Sequence, residues 1–386
     1  MTRIYRAARL FDGTRLHPGA ALLVESGQIA EVIKAGLPLP RGVPVTELGE
    51  GILAPGLIDL QVNGGDGIML TAGADLARIC AAHARLGATG ILPTLITDTP
   101  DATARVVAAG MAAARARLPG FLGLHLEGPH LDPRRAGAHD PALIRPMADA
   151  DLAALEAAAR ALPALLVTLA PEAATPLQIT RLTRAGAVVS LGHSDCTAEA
   201  AAAGFAAGAR AVTHLFNAMS QLQGRAPGLV GAALGGGVHA GIIADGVHVA
   251  DAALRTALAA TAPDRLFVVS DAMAVAGTDL AAFDLGGRRI TRADGRLTLT
   301  DGTLAGADIT LPQSVAHLRR LGCPLDRGLA MASRIPADLI GAPDRGRLAP
   351  GIRADFIHLT EALRLRRVWR DGVEIAGTEE RNGADP

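Results

Sequence analysis

The sequence predicts an α/β fold: a TIM-like (β/α)8 barrel with a small β-sandwich formed by both chain ends. Three observations predict it. Short apolar, β-branched runs alternate with Ala-rich helical patterns, and eight such runs can be counted, the repeat of a parallel barrel. The chain has 386 residues, which suits a barrel of roughly 250 residues plus a smaller unit. Four polar motifs each close one of the apolar runs, at the carboxyl ends of strands, where such a barrel carries its chemistry.

From Ile4 to about Leu53 the pattern is short alternating strands with turns, as in Ala20 to Val24, Glu25-Ser26-Gly27 and Gln28 to Ile33. This reads as antiparallel β structure. Ala354 to Leu359 and Leu365 to Gly372 have the same character. The two ends, residues 1–53 and 350–386, are therefore expected to form one sandwich beside a barrel of residues 54–349. The barrel strands are predicted at 57–62, 90–95, 121–126, 165–169, 188–191, 212–215, 241–244 and 266–269. Helical patterns such as 74–86, 102–117 and 197–207 separate most of them. After the eighth strand, 283–303 reads as a hairpin turning at Asp294-Gly295, and helical segments run from about Pro312 to Ile340. The rival fold is an open doubly wound sheet. It calls for a glycine fingerprint after the first strand, and Asn63-Gly64-Gly65-Asp66-Gly67 does not satisfy GxGxxG.

Composition narrows the function. Hydrophobic residues make up 49% of the chain, so a large core can form. The formal net charge is -1, with no basic face for a nucleic acid, and aromatics are only 2%, too few for base-stacking platforms. The three cysteines, Cys80, Cys196 and Cys323, make no CxxC motif or disulfide framework, and point to a reducing cytoplasm. Neither a signal peptide nor a membrane span is expected. Lys34 is the only lysine and lies far from any barrel strand end. Schiff-base catalysis and a carbamylated-lysine metal bridge are thereby excluded.

The four motifs are His125-Leu126-Glu127-Gly128-Pro129, Gly192-His193-Ser194-Asp195, Thr213-His214-Leu215-Phe216-Asn217-Ala218 and Ser270-Asp271-Ala272. Taken singly, Glu127 reads as a surface acid, each histidine as structural and Asp271 as a helix cap. Taken together they are one Glu, two His and one Asp from four strand ends. Glu127, His193 and His214 make three protein ligands, the set of a catalytic metal site that keeps one position open for water. Asp271 beside them can take a proton from that water and later give it to a leaving amine. Cys196 tempts a metal reading but lies past the strand end at a helix start.

With Ala54-Pro55-Gly56-Leu57-Ile58-Asp59 and Val167-Thr168-Leu169-Ala170-Pro171-Glu172, these motifs resemble the N-acetylglucosamine-6-phosphate deacetylase family of the amidohydrolase superfamily, over nearly the whole chain. The resemblance implies a hydrolase that removes acetate from N-acetyl-D-glucosamine 6-phosphate. It implies Glu127, His193 and His214 as metal ligands and Asp271 as catalytic acid/base. His139 is implied beside the acetamido carbonyl, with Ala138 next to it, and Asn217 with Ala218 as a substrate-contact pair. Arg225 and His248, with Asp245, fall near the sugar phosphate, and Leu304-Ala305-Gly306 forms a contact loop. Arg225 is implied to reach the neighbouring subunit's site, hence a homodimer.

Physical chemistry supports these roles. A histidine at 139 can donate to a developing oxyanion, and an arginine at 225 can grip phosphate with two prongs. Many amidohydrolases bind a second metal through His-x-His on the first strand. Here Gln61-Val62-Asn63 stands there, and amides are poor transition-metal ligands. One divalent transition metal per chain is expected, zinc first, with iron, cobalt or manganese able to use the same ligands. Gln61, Asn63 and His125 are expected to support it. The family usually has Ser where this chain has Ala307. His17, His83, His317 and His358 read as structural or surface residues. Two rivals stay open: an amidohydrolase acting on a cyclic amide or an N-acyl amino acid, and a non-catalytic scaffold of the same fold.

Overall fold

The computed structural model describes residues 2–375; Met1 and the end of the predicted sandwich segment, 376–386, lie outside the described residues. The barrel strands are Leu57–Val62, Ala88–Ile96, Leu124–Glu127, Leu165–Leu169, Val188–Leu191, Ala211–Val212, His239–Ile242 and Leu266–Val268. They pair in parallel in sequence order. Nearly all their residues are buried, as expected where helices cover one face of the sheet and packed side chains the other. The first and eighth strands are the two ends of this sheet. The isolated bridge Val62↔Ala272 joins them beyond the last rung.

Helices follow the predicted strand–helix alternation, and several begin at identifiable caps. Asp75 caps Leu76–Arg85, Thr99 caps Pro100–Arg115 with proline in its first turn, and Thr197 caps Ala198–Ala206. Each side-chain oxygen accepts from a first-turn N–H that has no intrahelical partner. The predicted 312–340 run is three helices, Leu311–Arg320, Leu325–Met331 and Arg334–Leu339. Gly322, at φ 94°, follows the first of them and ends it.

The second, seventh and eighth strands shift by one or two residues at one or both ends, and the third and sixth differ from expectation for identifiable physical reasons. The third starts at Leu124, not Phe121. Gly123 has φ +141° and lies so close to the neighbouring strand that a Cβ there would stand 2.0 Å from the Ala164 carbonyl oxygen. The sixth ends at Val212, because the chain turns out of the ladder at His214, φ 30°.

Both chain ends share one eight-stranded sheet. Thr2–Phe11 runs parallel to Val45–Pro55, which pairs antiparallel with Phe356–Leu359. Phe356 and Trp369 stack with centroids 4.6 Å apart, and Tyr5 packs edge-on against both. The expected hairpin is part of a four-stranded sheet of Ala282–Leu285, Arg288–Ala293, Arg296–Thr298 and Leu304–Ala307. Asp294 and Gly295 both have positive φ, 50° and 68°, as a two-residue turn of the primed type requires. This sheet meets the barrel mouth, where the Ala307 N–H donates to the Asp271 carbonyl. Among the described residues no helix is long and apolar enough to cross a membrane.

Candidate metal centre

Glu127 ends the third strand, and His193, His214 and Asp271 follow the fifth, sixth and eighth. A regular strand would send these side chains alternately inward and outward. The chain avoids this by leaving the β region: His193, His214 and Asp271 have φ of 46°, 30° and 48°. Left-handed backbone costs a non-glycine residue of order 1–3 kcal/mol and persists where surrounding structure enforces it. Here it turns three polar side chains into one cavity of about 370 Å³.

Three donor atoms form a triangle. Glu127 Oε1 is 3.2 Å from His193 Nε2 and 3.0 Å from His214 Nε2, and the two nitrogens are 3.0 Å apart. Ligands about 2.0–2.1 Å from a tetrahedral zinc stand about 3.3 Å from one another. Protonation is set by the outer partners. His193 Nδ1–H donates to the Arg135 carbonyl at 2.7 Å, so in the neutral ring Nε2 presents a lone pair to the Glu127 carboxylate. Two lone pairs at that distance repel unless a cation lies between them, so the residues fit a bound divalent metal. The Gln61 amide donates to both Glu127 oxygens at 3.1 and 3.2 Å and orients the carboxylate. Burial raises the Glu127 pKa, but the adjacent His193 and His214 side chains outweigh it and hold the acid well below its usual range.

Glu127, His139 and His193 also bring one donor atom each within 4.8 Å of one another, an alternative ligand set. The partners of His139 argue against it. Its Nδ1 accepts from the Thr97 backbone N–H at 3.2 Å and lies 2.8 Å from the Thr97 hydroxyl. The ring's proton therefore sits on Nε2, 4.0 Å from Glu127 Oε2. Burial, then the charge of His193, pushes its pKa down to about 3. His139 is thus a neutral N–H donor facing the cavity.

Asp271 lies across the cavity, and Asn63 Nδ2 donates to its Oδ1 at 2.7 Å. Burial, then the charge of Glu127, raises its pKa to about 6. Two buried polar atoms here, Asn63 Oδ1 and His214 Nδ1, have no hydrogen-bond partner among the described residues.

Most of the other predicted residues come to this cavity. Ala138, Asn217, Ala218, His248, Leu304 and Gly306 line it. Asp245 stands behind His248, accepting from its Nδ1–H at 2.6 Å. Ala305 alternates away from Leu304 and Gly306 and packs with Met273 and Phe283. His125 is buried below the cavity, 2.7 Å from the Thr168 hydroxyl through Nε2. Arg225 is exposed and does not line the cavity of its own chain. Sequence reasoning missed Met273, Ile243 and Thr303, which also line it, and the Arg135 carbonyl. A main-chain acceptor leaves no mark in a sequence. Met273, two residues past Asp271, could have been found.

Residues 52–375 match the model of the Amidohydrolase family. An N-acetylgalactosamine-6-phosphate deacetylase of Shewanella is 37% identical, over 87% of this chain and 86% of the relative. The human N-acetylglucosamine-6-phosphate deacetylase is 36% identical, over 84% of each. Among solved structures, an N-acetylglucosamine-6-phosphate deacetylase from Pasteurella multocida superimposes with TM-score 0.92 and 31% identity, covering 97% of this chain and 99% of that one. A mutant deacetylase from Mycobacterium smegmatis, in complex with N-acetyl-D-glucosamine-6-phosphate, gives 0.90 and 32%, covering 97% and 99%.

Proposed function

This chain belongs to the amidohydrolase family, and from that premise we propose that it hydrolyses the acetamide of N-acetyl-D-glucosamine 6-phosphate. The products are D-glucosamine 6-phosphate and acetate, in amino-sugar catabolism or cell-wall recycling. The observation that carries the reading is the convergence of Glu127, His193 and His214 on one point, with Asp271 and a neutral His139 facing the same cavity. Similarity to deacetylases of phosphorylated amino sugars over most of the chain supports the substrate.

Glu127, His193 and His214 would hold the divalent metal, most simply zinc, which when bound supplies Lewis-acid activation of water and of the amide carbonyl. Asp271, held by Asn63, takes the proton of the attacking water and passes it to the departing amine. His139 donates through Nε2–H to the oxyanion that forms on the carbonyl. Asn217, Ala218 and the segment Leu304-Ala305-Gly306 border the sugar. His248, fixed by Asp245, faces the phosphate end. Arg225 reaches the neighbouring subunit's phosphate, which makes the enzyme a homodimer. Its exposure in the single chain supports this reading. We place the hydrolase unit at residues 54–349, with 1–53 and 350–386 beside it. Three buried, unpaired cysteines favour a cytoplasmic setting.

The C4 epimer is a second reading, favoured by the Shewanella relative. Acetate release from N-acetylglucosamine 6-phosphate, N-acetylgalactosamine 6-phosphate and unphosphorylated N-acetylglucosamine tests both. We expect strong preference for a phosphorylated sugar. Equal kcat/KM with and without phosphate would overturn the proposal.

A further inference from the structure

The barrel is not laced evenly. Among the described residues seven neighbouring strand pairs form ladders, but no ladder joins the first strand to the eighth. At this seam the inward residues of the first strand provide side-chain bonds instead. Asp59 is almost fully buried. Its two carboxylate oxygens both accept from the Ser270 backbone N–H, at 3.2 Å each, and one also accepts from the Gln61 N–H at 3.2 Å. Four residues on, just past the strand end, Asn63 N–H donates to the Ala272 carbonyl at 2.8 Å, while the Asn63 amide holds Asp271. Ser270, Asp271 and Ala272 are thus tied to the first strand from both sides of Asp271.

Packing leaves room on one side of this segment. A cavity of about 690 Å³ reaches Asp59, Ser270 and Ala272, and its lining includes none of Glu127, His193, His214 or Asp271. Where neighbours leave room, hydrogen bonds must set the backbone. The backbone to be set is an unfavourable one, with Asp271 at φ 48°. Burial, opposed by the bonds from Ser270 and Gln61, lifts the Asp59 pKa to about 7, and the charge of Asp271 adds to the rise. The two acids therefore sense each other across the seam.

We propose that Asp59 is a positioning residue for Asp271: its carboxylate replaces the missing rung between first and last strands and fixes the turn that aims Asp271 into the cavity. The inference rests on the reading of Asp271 as the acid/base. A misplacement of about 1 Å at a reacting group costs on the order of a hundredfold in rate, so a small slip at Ser270 has a large effect.

The test compares Asp59→Asn, Asp59→Glu, Asp271→Asn and the double variant Asp59→Asn/Asp271→Asn. Asn keeps the volume but turns an N–H toward the Ser270 N–H, and Glu keeps both oxygens on a longer arm. We expect kcat to fall about ten- to a hundredfold in each Asp59 variant, with KM and bound metal within about twofold of the parent. The double variant should be no slower than Asp271→Asn alone, because Asp59 acts only through Asp271. Parental kcat in either folded Asp59 variant overturns the proposal, as do losses that multiply in the double variant. Failure of both Asp59 variants to fold also overturns it, since Asp59 would then serve closure of the barrel. Normal kcat in Asp271→Asn would instead overturn the acid/base reading, so the two failures are distinct.

Discussion

The barrel mouth and the terminal sheet are built from the same strand material under opposite rules. In the terminal sheet packing dominates: Tyr5, Phe356 and Trp369 are buried against one another in favourable ring geometry, the strands pair over several rungs, and non-glycine residues with positive φ, Ser26, Leu363 and Asp371, stand in the connections between strands. At the mouth local preferences are broken together. His193, His214, Phe216, Ala218 and Asp271 all have positive φ, and the buried Asn63 Oδ1 and His214 Nδ1 find no hydrogen-bond partner among the described residues. Stability is stored in the first region and spent, through strain and desolvated charge, in the second. Substitutions in the two regions should therefore separate rate from stability.

The largest effect is expected at the donor triangle. His193→Ala or His214→Ala should lose both bound metal and activity while circular dichroism stays that of the parent. Stoichiometric metal retained in either variant would show that the triangle is wrongly assigned.

Asp271→Asn comes next. It keeps size and metal and removes the base, so kcat should drop by about 10²–10⁴-fold. The sign of the pH dependence follows from its raised pKa of about 6. Only the ionised form can take a proton, so kcat/KM of the parent should fall as pH drops through that value. A cation seated at Glu127 offsets the charge that raises it, so the limb should lie no higher than about pH 6. In residual Asp271→Asn activity the limb should be missing. Were Asp271 only a helix cap, Asn would serve almost as well and kcat would barely change.

A smaller effect is expected where the site is proposed to borrow from a neighbour. Arg225→Ala should raise KM roughly ten- to a hundredfold for the phosphorylated sugar and little for the unphosphorylated one. Mixing Arg225→Ala with Asp271→Asn chains should restore some activity in verified hybrid dimers. No recovery would mean that each chain builds its site alone.

The terminal sheet supplies the opposite case. Trp369→Ala should cost about 3–5 kcal/mol of stability, read by chemical denaturation. Below its unfolding midpoint it should leave kcat within about twofold. A rate loss as large as that of Asp271→Asn would erase the distinction between the two regions.

This contrast also explains what the sequence could tell. Strand order, the shared sheet of the chain ends and the turn at Asp294-Gly295 follow from periodicity and turn chemistry, which act locally. The gathering of Glu127, His193, His214 and Asp271 at one cavity was legible because polar residues closing apolar runs are few. The boundaries at Leu124 and Val212 were not, since they depend on contacts such as Gly123 against Ala164, far away in the chain. Nor was the protonation of His139, which the Thr97 main chain decides. Asp59 reads as one more strand residue until the seam beside Ser270 is seen.

The central claim is a single metal held by Glu127, His193 and His214, with Gln61 serving the carboxylate rather than a second ion. Titration of metal-free protein with zinc, reading bound metal and acetate release on the same sample, tests it most directly. Activity should rise linearly and level off at one equivalent per chain. Activity that levels off only at two equivalents, with both retained, would contradict it.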